Sequence, residues 1–325
     1  MAGAKRSDSR AGGKAGGRKQ APKVGAAQAA VSARPRTASS ATPVRRPLVI
    51  DLVTFNTHGA VDKSLMVQHH VGPYLCGQPA AAACFQELFF RPELLALDAE
   101  LLGQNVELTS TGEIEIATGH GGAYARRVTC TSKGLGGLGG GPGLAIYTSL
   151  PFTNARFFAF DGLQIPDQLA VKGVLAIDIA LAGETLVLAA THFNDDENDR
   201  VDGRARRANI ATLARMLVTA RGKPTIVVGD FNLTSGAATG LDALLFQQLM
   251  AVAGRKWIEA GVQNARQNAL ARPVPTVLGS RRSIDLMLCS GGRPTLAASL
   301  VKGSYRALSD FTSDHKLVRA SIQLT

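Results

Sequence analysis

In six short stretches of this chain a side chain that can bind a cation or move a proton ends, interrupts or directly precedes an apolar run. Asn56 follows LVIDLVTF, Gln86 and Glu87 follow AAACF, and His192 follows LVLAAT. Asp230 and Asn232 follow TIVVG, Asp285 interrupts SIDLMLC, and Asp314 and His315 stand directly before KLVRASI. Taken singly, each has a plain structural explanation. An Asn or Asp at a strand end commonly caps the local backbone, and an isolated His is more often structural than catalytic. Taken together they are harder to dismiss, because loops along one edge of a rigid sheet are where reactive groups collect. Carboxylates mixed with amides and two imidazoles suit a hard cation and a phosphate.

The runs that carry these residues are dense in Val, Ile and Leu over five to nine positions, as strands buried on at least one face should be. Strands are predicted at Val49–Phe55, Ala81–Phe85, Leu144–Tyr147, Val171–Ile179, Leu186–Ala190, Thr225–Val228, Ile284–Cys289 and Leu317–Ile322. Between Asp202 and Ala220, Ile210, Leu213 and Leu217 recur at helical spacing, with Arg204, Arg206, Arg207 and Arg215 on the polar side. Leu241–Val252 is a second predicted helix. No internal repeat is present. This mixture predicts an α/β fold of two packed sheets flanked by helices rather than a strict βαβ alternation. The Gly-rich stretch Gly134–Gly143 lacks the spacing of a nucleotide-binding loop and runs into an apolar strand, so it reads as a loop or lid.

The net charge of +11 belongs to one end of the chain. Residues 1–46 carry eleven Lys/Arg against the single acid Asp8, a charge of +10 that leaves only +1 on residues 47–325. The body therefore has no compositional field for a polyanion. The tail is Ala, Gly, Lys, Arg, Pro and Ser with few large apolar side chains, and a segment of that kind is expected to be disordered. It could serve as a solubility or targeting segment, or as an arm for an anionic membrane surface or nucleic acid. The four cysteines, Cys76, Cys84, Cys130 and Cys289, form no CxxC pair and read as buried, reduced thiols. No apolar stretch approaches the ~20 residues of a membrane span, and no secretory signal is evident. The expected location is intracellular, at most peripheral to a membrane.

In order along the chain, FNTHG (55–59), FQE (85–87), TH (191–192), GDFN (229–232), ID (284–285) and SDH (313–315) resemble the endonuclease/exonuclease/phosphatase superfamily. The resemblance covers roughly Pro47 to Thr325. It implies a four-layered α/β sandwich and phosphoester hydrolysis that depends on one or two divalent ions, usually Mg²⁺. PDQLAVKGVLAI (166–177) is further similar to the Asp-x-x-Ala-x-Lys-Gly segment of neutral sphingomyelinases, in which the Asp and Lys form a switchable pair beside the active site. The matching residues are Asp167 and Lys172.

On this reading Glu87 and Asn56 hold the metal, and Asp314 could ligate a second ion. His315 is expected to be the general base, neutral near pH 7, with Asp285 fixing its tautomer. His192 donates to a phosphoryl oxygen, and Asp230 and Asn232 position water and phosphate. Whether His315 or Asp230 is the base stays open. The leading expectation is a Mg²⁺-dependent sphingomyelinase-like phospholipase C acting on a phospholipid. The alternatives are a nuclease, an inositol-phosphate or other phosphatase, and a catalytically dead binding module.

Overall fold

The computed structural model describes residues 47–58, 64–131, 141–161, 170–181, 183–195, 202–292, 297–309, 311 and 313–325. The basic tail, Asp167 and most of the Gly-rich stretch lie outside them. All described residues fall in one compact unit, Arg45–Thr325.

Among the described residues two sheets form. The first contains β1 (Leu48–Asn56), β2 (Ala82–Gln86), β3 (Gly103–Thr111), β4 (Ile114–Gly121), β5 (Arg126–Cys130) and β6 (Ala145–Thr148). The late strands β13 (Ala298–Leu300), β14 (Arg306–Leu308) and β15 (Leu317–Leu324) also join it. Its order is β13-β15-β1-β2-β6-β5-β4-β3, with β14 also pairing β15. The second sheet contains β7 (Phe152–Ala159), β8 (Gly173–Leu181), β9 (Glu184–His192), β10 (Thr225–Asp230), β11 (Ile258–Glu259) and β12 (Asp285–Ser290). Its order is β11-β12-β10-β9-β8-β7. Both sheets are mixed, because β1 runs parallel to β2 and β9 parallel to β10 while their other neighbours are antiparallel.

Alternation along the strands divides the core into three layers. Ile50, Leu52, Cys84 and Ile146 of the first sheet face Leu175, Leu188, Ile226 and Met287 of the second. On the outer side of the first sheet, Val53, Phe55 and Phe85 pack under α1 (Ser64–Gly77) and α2 (Arg91–Leu101). On the outer side of the second, Val187, Val227 and Leu286 pack under α3 (Arg204–Thr219) and α4 (Gly240–Met250). A further helix, α5 (Ala260–Gln267), begins on Glu259, whose carboxylate accepts from the Gly261 and Val262 amides. The result is the four-layered α/β sandwich expected from the sequence.

Two sequence expectations need correction. Cys76 is exposed, whereas Cys84, Cys130 and Cys289 are buried. Arg206 does not join the solvent face of α3, for it is only 1% exposed.

Candidate active site

The site lies where the central strands of both sheets end. Strand register does much of the positioning. Asp230 is the register partner of His192 on one side and of Asp285 on the other, so three strands deliver three functional side chains at one rung. Gly229 makes that rung attainable. It has φ +142°, and a Cβ there would stand 1.9 Å from the Thr191 carbonyl oxygen. In the first sheet Asn56 is the partner of Gln86, which places Glu87 just beyond the strand end.

At the centre Asn56 donates both amide hydrogens to carboxylates, to Glu87 Oε1 at 3.0 Å and to Asp230 Oδ2 at 3.1 Å. Its own Oδ1 accepts from the His58 amide at 2.9 Å. His192 Nε2 is 3.7 Å from the same two carboxylate oxygens. His315 stands opposite, with Nε2 3.8 Å from Asp230 Oδ2 and Nδ1 2.9 Å from Asp285 Oδ2. Ser313 anchors that turn, donating to the Asn56 carbonyl at 2.7 Å and accepting from the His315 amide at 3.0 Å. The structure therefore brings together Asn56, Glu87, His192, Asp230, Asp285 and His315. Asn232 lies directly behind them, its amide N–H donating to Asp230 Oδ1 at 2.8 Å.

Two predicted residues stand differently. Asp314 is at the mouth, 47% exposed and 3.1 Å from His58 Nδ1, a partner that sequence reasoning missed. Asp167 lies outside the described residues. Its expected mate Lys172 is buried at the site itself, with Nζ 3.0 Å from His192 Nε2 and 3.1 Å from the Phe193 carbonyl oxygen. The register explains why. Val174 pairs with Thr191, so Lys172 sits across from the residues that follow the strand end.

The electrostatics bear on two expected roles. An ammonium can only donate, so His192 accepts through Nε2 and carries its proton on Nδ1, which has no hydrogen-bond partner among the described residues. Burial, then the Lys172 charge, hold His192 well below the ordinary imidazole range. As arranged, the cationic donor is Lys172 rather than His192. Burial alone would lower His315, but Asp285, Asp230 and Asp314 outweigh it and raise its pKa to about 10. That direction favours the protonated imidazole, whereas the expectation from sequence was a neutral base. Burial raises Asp230 to about 7, against the opposing pull of His315.

Backbone conformation adds a further mark. His58, Glu87 and Asn232 hold φ values of +51°, +63° and +47°, a left-handed region that non-glycine residues rarely occupy. Their neighbours must hold them there.

The donor set fits a hard divalent cation. Glu87 and Asp230 converge on a single neutral amide, so two carboxylates stand within reach of one point. Asp230, Asp285 and His315 also lie close enough together to offer ligands to one ion. Among the described residues no helix is long and apolar enough to cross a membrane.

A family model described as the Endonuclease/Exonuclease/phosphatase family matches residues 35–315. No curated protein matches the chain by sequence. Among solved structures, a humanized TDP2 from D. rerio superposes with TM-score 0.56 at 13% identity, covering 84% of this chain and 98% of that one. The D. rerio protein also appears complexed with a single-strand DNA product. Sphingomyelinase C from Streptomyces griseocarneus gives TM-score 0.55 at 14% identity, covering 84% and 99%. Beta toxin from Staphylococcus aureus with bound magnesium ions gives 0.54 at 12% identity, covering 85% and 98%. At such identities these likenesses speak for the fold.

Proposed function

The chain belongs to the endonuclease/exonuclease/phosphatase family, and from that membership we propose that it is a divalent-cation-dependent phosphodiester hydrolase. The observation that carries this reading is the convergence of Glu87, Asp230 and Asn56 within 3.1 Å contacts, faced by two imidazoles. A dead binding module would have no reason to keep buried acids and bases so arranged.

Glu87, steadied by Asn56, would hold the cation. Once bound, that ion supplies charge neutralisation at the phosphoryl oxygens. Asp230 is the better base, because its pKa of about 7 matches neutral operation while His315 stays protonated. His315, held by Asp285, instead faces the anionic phosphoryl group as a fixed cation. Lys172 adds a second donor beside His192, and Asn232 orients the water and phosphate through its amide.

For the substrate, we favour a phosphocholine lipid cleaved as by a neutral sphingomyelinase. The support is the PDQLAVKG segment, whose Lys172 reaches the candidate site rather than a distant turn. A nuclease is the second reading, supported by the likeness to the D. rerio protein that has been solved with DNA product. The deciding experiment is a panel of sphingomyelin, lysophosphatidylcholine, an inositol phosphate, plasmid DNA and an abasic-site duplex, each with Mg²⁺ and with EDTA. Sphingomyelin turnover that EDTA abolishes supports the leading reading. DNA cleavage without lipid turnover moves the assignment to the nuclease, and metal-independent turnover refutes the mechanism.

A further inference from the structure

Asn232 sits in a left-handed conformation with three of its hydrogen-bonding groups already engaged. Its N–H donates to Asp230 Oδ1 at 2.8 Å, and its Nδ2 donates to the Phe193 carbonyl at 3.2 Å. Its carbonyl accepts at 2.8 Å from Arg206, a residue of the first turn of α3 with a side chain only 2% exposed. The same guanidinium nitrogen donates to Asp242 Oδ1 at 3.0 Å, in the first turn of α4. Asp242 Oδ2 in turn accepts from the Thr234 amide at 3.1 Å, two residues beyond Asn232. One ion pair spanning two helices therefore grips both ends of the turn that follows β10.

We infer that Arg206 and Asp242 are positioning residues for the hydrolysis, acting through Asn232 by pinning its strained backbone from behind. The inference rests on the functional reading above. The chemistry favours it over a plain structural pair. Burying a guanidinium is costly unless it is paired and bonded, and this one bonds the carbonyl of the one residue in the turn with a left-handed φ. Release of that carbonyl lets Asn232 relax towards ordinary φ and swings its amide away from the phosphate. A displacement of about 1 Å remote from the chemistry can cost about 10²-fold in rate.

The test uses Arg206→Gln, Arg206→Lys and Asp242→Asn in the full chain, alone and combined with Asn232→Ala, on whichever substrate the panel identifies. Arg206→Gln and Asp242→Asn should lower kcat about 10²-fold with KM changed less than about threefold. Arg206→Lys, which keeps a donor for the carbonyl, should recover to within about tenfold of wild type. In the Asn232→Ala background Arg206→Gln should cost nothing further in kcat, because the side chain it positions is gone. Full kcat in the folded single variants, or losses that add to that of Asn232→Ala, would overturn the inference while leaving the hydrolase reading intact. If Arg206→Gln does not fold, the part-exposed Asp242→Asn carries the same comparison. A wild type inactive on every phosphodiester overturns both readings, and is recognised by the wild-type control alone.

Discussion

Replacing Arg127 by Met should destabilise the protein by about 3 kcal/mol at neutral pH, and the loss should shrink in acid. Arg127 is fully buried, with Nε 2.8 Å from Asp98 Oδ1 and Nη2 2.8 Å from Glu115 Oε1. Met keeps the apolar stem and discards the charge. Glu115 still has Arg91 at 2.6 Å, but among the described residues buried Asp98 keeps only the Tyr147 hydroxyl, which donates at 2.8 Å. Removing one member of a buried pair costs about 3–5 kcal/mol, and the surviving partners place this case at the lower end. For a unit of this size that amounts to a fall in Tm of roughly 5–10 °C.

The pH dependence follows from Asp98. Burial raises its pKa in the wild type despite Arg127, and without Arg127 it rises further. A carboxyl whose folded pKa is raised favours the folded state most below its unfolded value, about 3.9. That contribution is lost as pH rises through the folded pKa, so the deficit of Arg127→Met should grow from about pH 4.5 to about pH 7. Urea denaturation of wild type and variant across this range measures it. Adding Asp98→Asn to the variant should restore most of the loss near pH 7 and little near pH 4.5. A deficit under about 1 kcal/mol at neutral pH, or one that grows in acid, would refute the reasoning.

Three further outcomes are expected. Lys172→Met should lower turnover about 10²-fold on both sphingomyelin and bis-(p-nitrophenyl) phosphate, since the residue contacts His192 rather than only a lipid entrance; a loss confined to the lipid would return Lys172 to substrate entry. The pH profile of kcat/KM should rise through an acid limb at or below about 7 as Asp230 loses its proton, and fall near about 10 as His315 loses its own. Asp285→Asn should draw the basic limb down, and an unmoved limb would detach it from His315. A chain starting at Pro47 should keep its turnover on detergent-dispersed substrate but bind anionic vesicles more weakly, most visibly at low salt, because the removed residues carry +10; equal sedimentation of both chains would leave the tail no part in membrane binding.

The parts of this protein that were legible in its sequence are those where burial dictates composition. Each of the eight predicted strands overlaps an observed one, because central strands such as β8 and β10 are covered on both faces and so are nearly continuous runs of apolar residues. The strand β3 escaped notice since most of GQNVELTST is exposed and shows no clean alternation. The reactive groups were visible because each ends, interrupts or directly precedes an apolar run. Their supports were not. Helical periodicity assigned Arg206 to solvent, and only the packing of α3 beside α4 reveals Asp242 and the Asn232 carbonyl as its partners. The resemblance put Lys172 beside the active site, but its contact with His192, twenty positions on, is visible only once the antiparallel β8–β9 ladder is formed.

The shared rung of His192, Asp230 and Asp285 ties the chemistry to the way the protein breathes. Side chains alternate with period two, so slippage of β10 by one residue would turn Asp230 to the opposite face and move Val228 from the layer between the sheets to the layer under the helices. The residues of this rung are therefore expected to open with the last cooperative unit rather than by local fluctuation. Fraying of the edge strands β3 and β7 can proceed without disturbing it. Under native conditions the amide protons of Val228 and Leu288 should exchange only through global opening, and those at the margins of the sheets far sooner. Variation in what this scaffold accepts as substrate is then left to the segments beyond the strand ends, which can change length and sequence while the rung stays fixed.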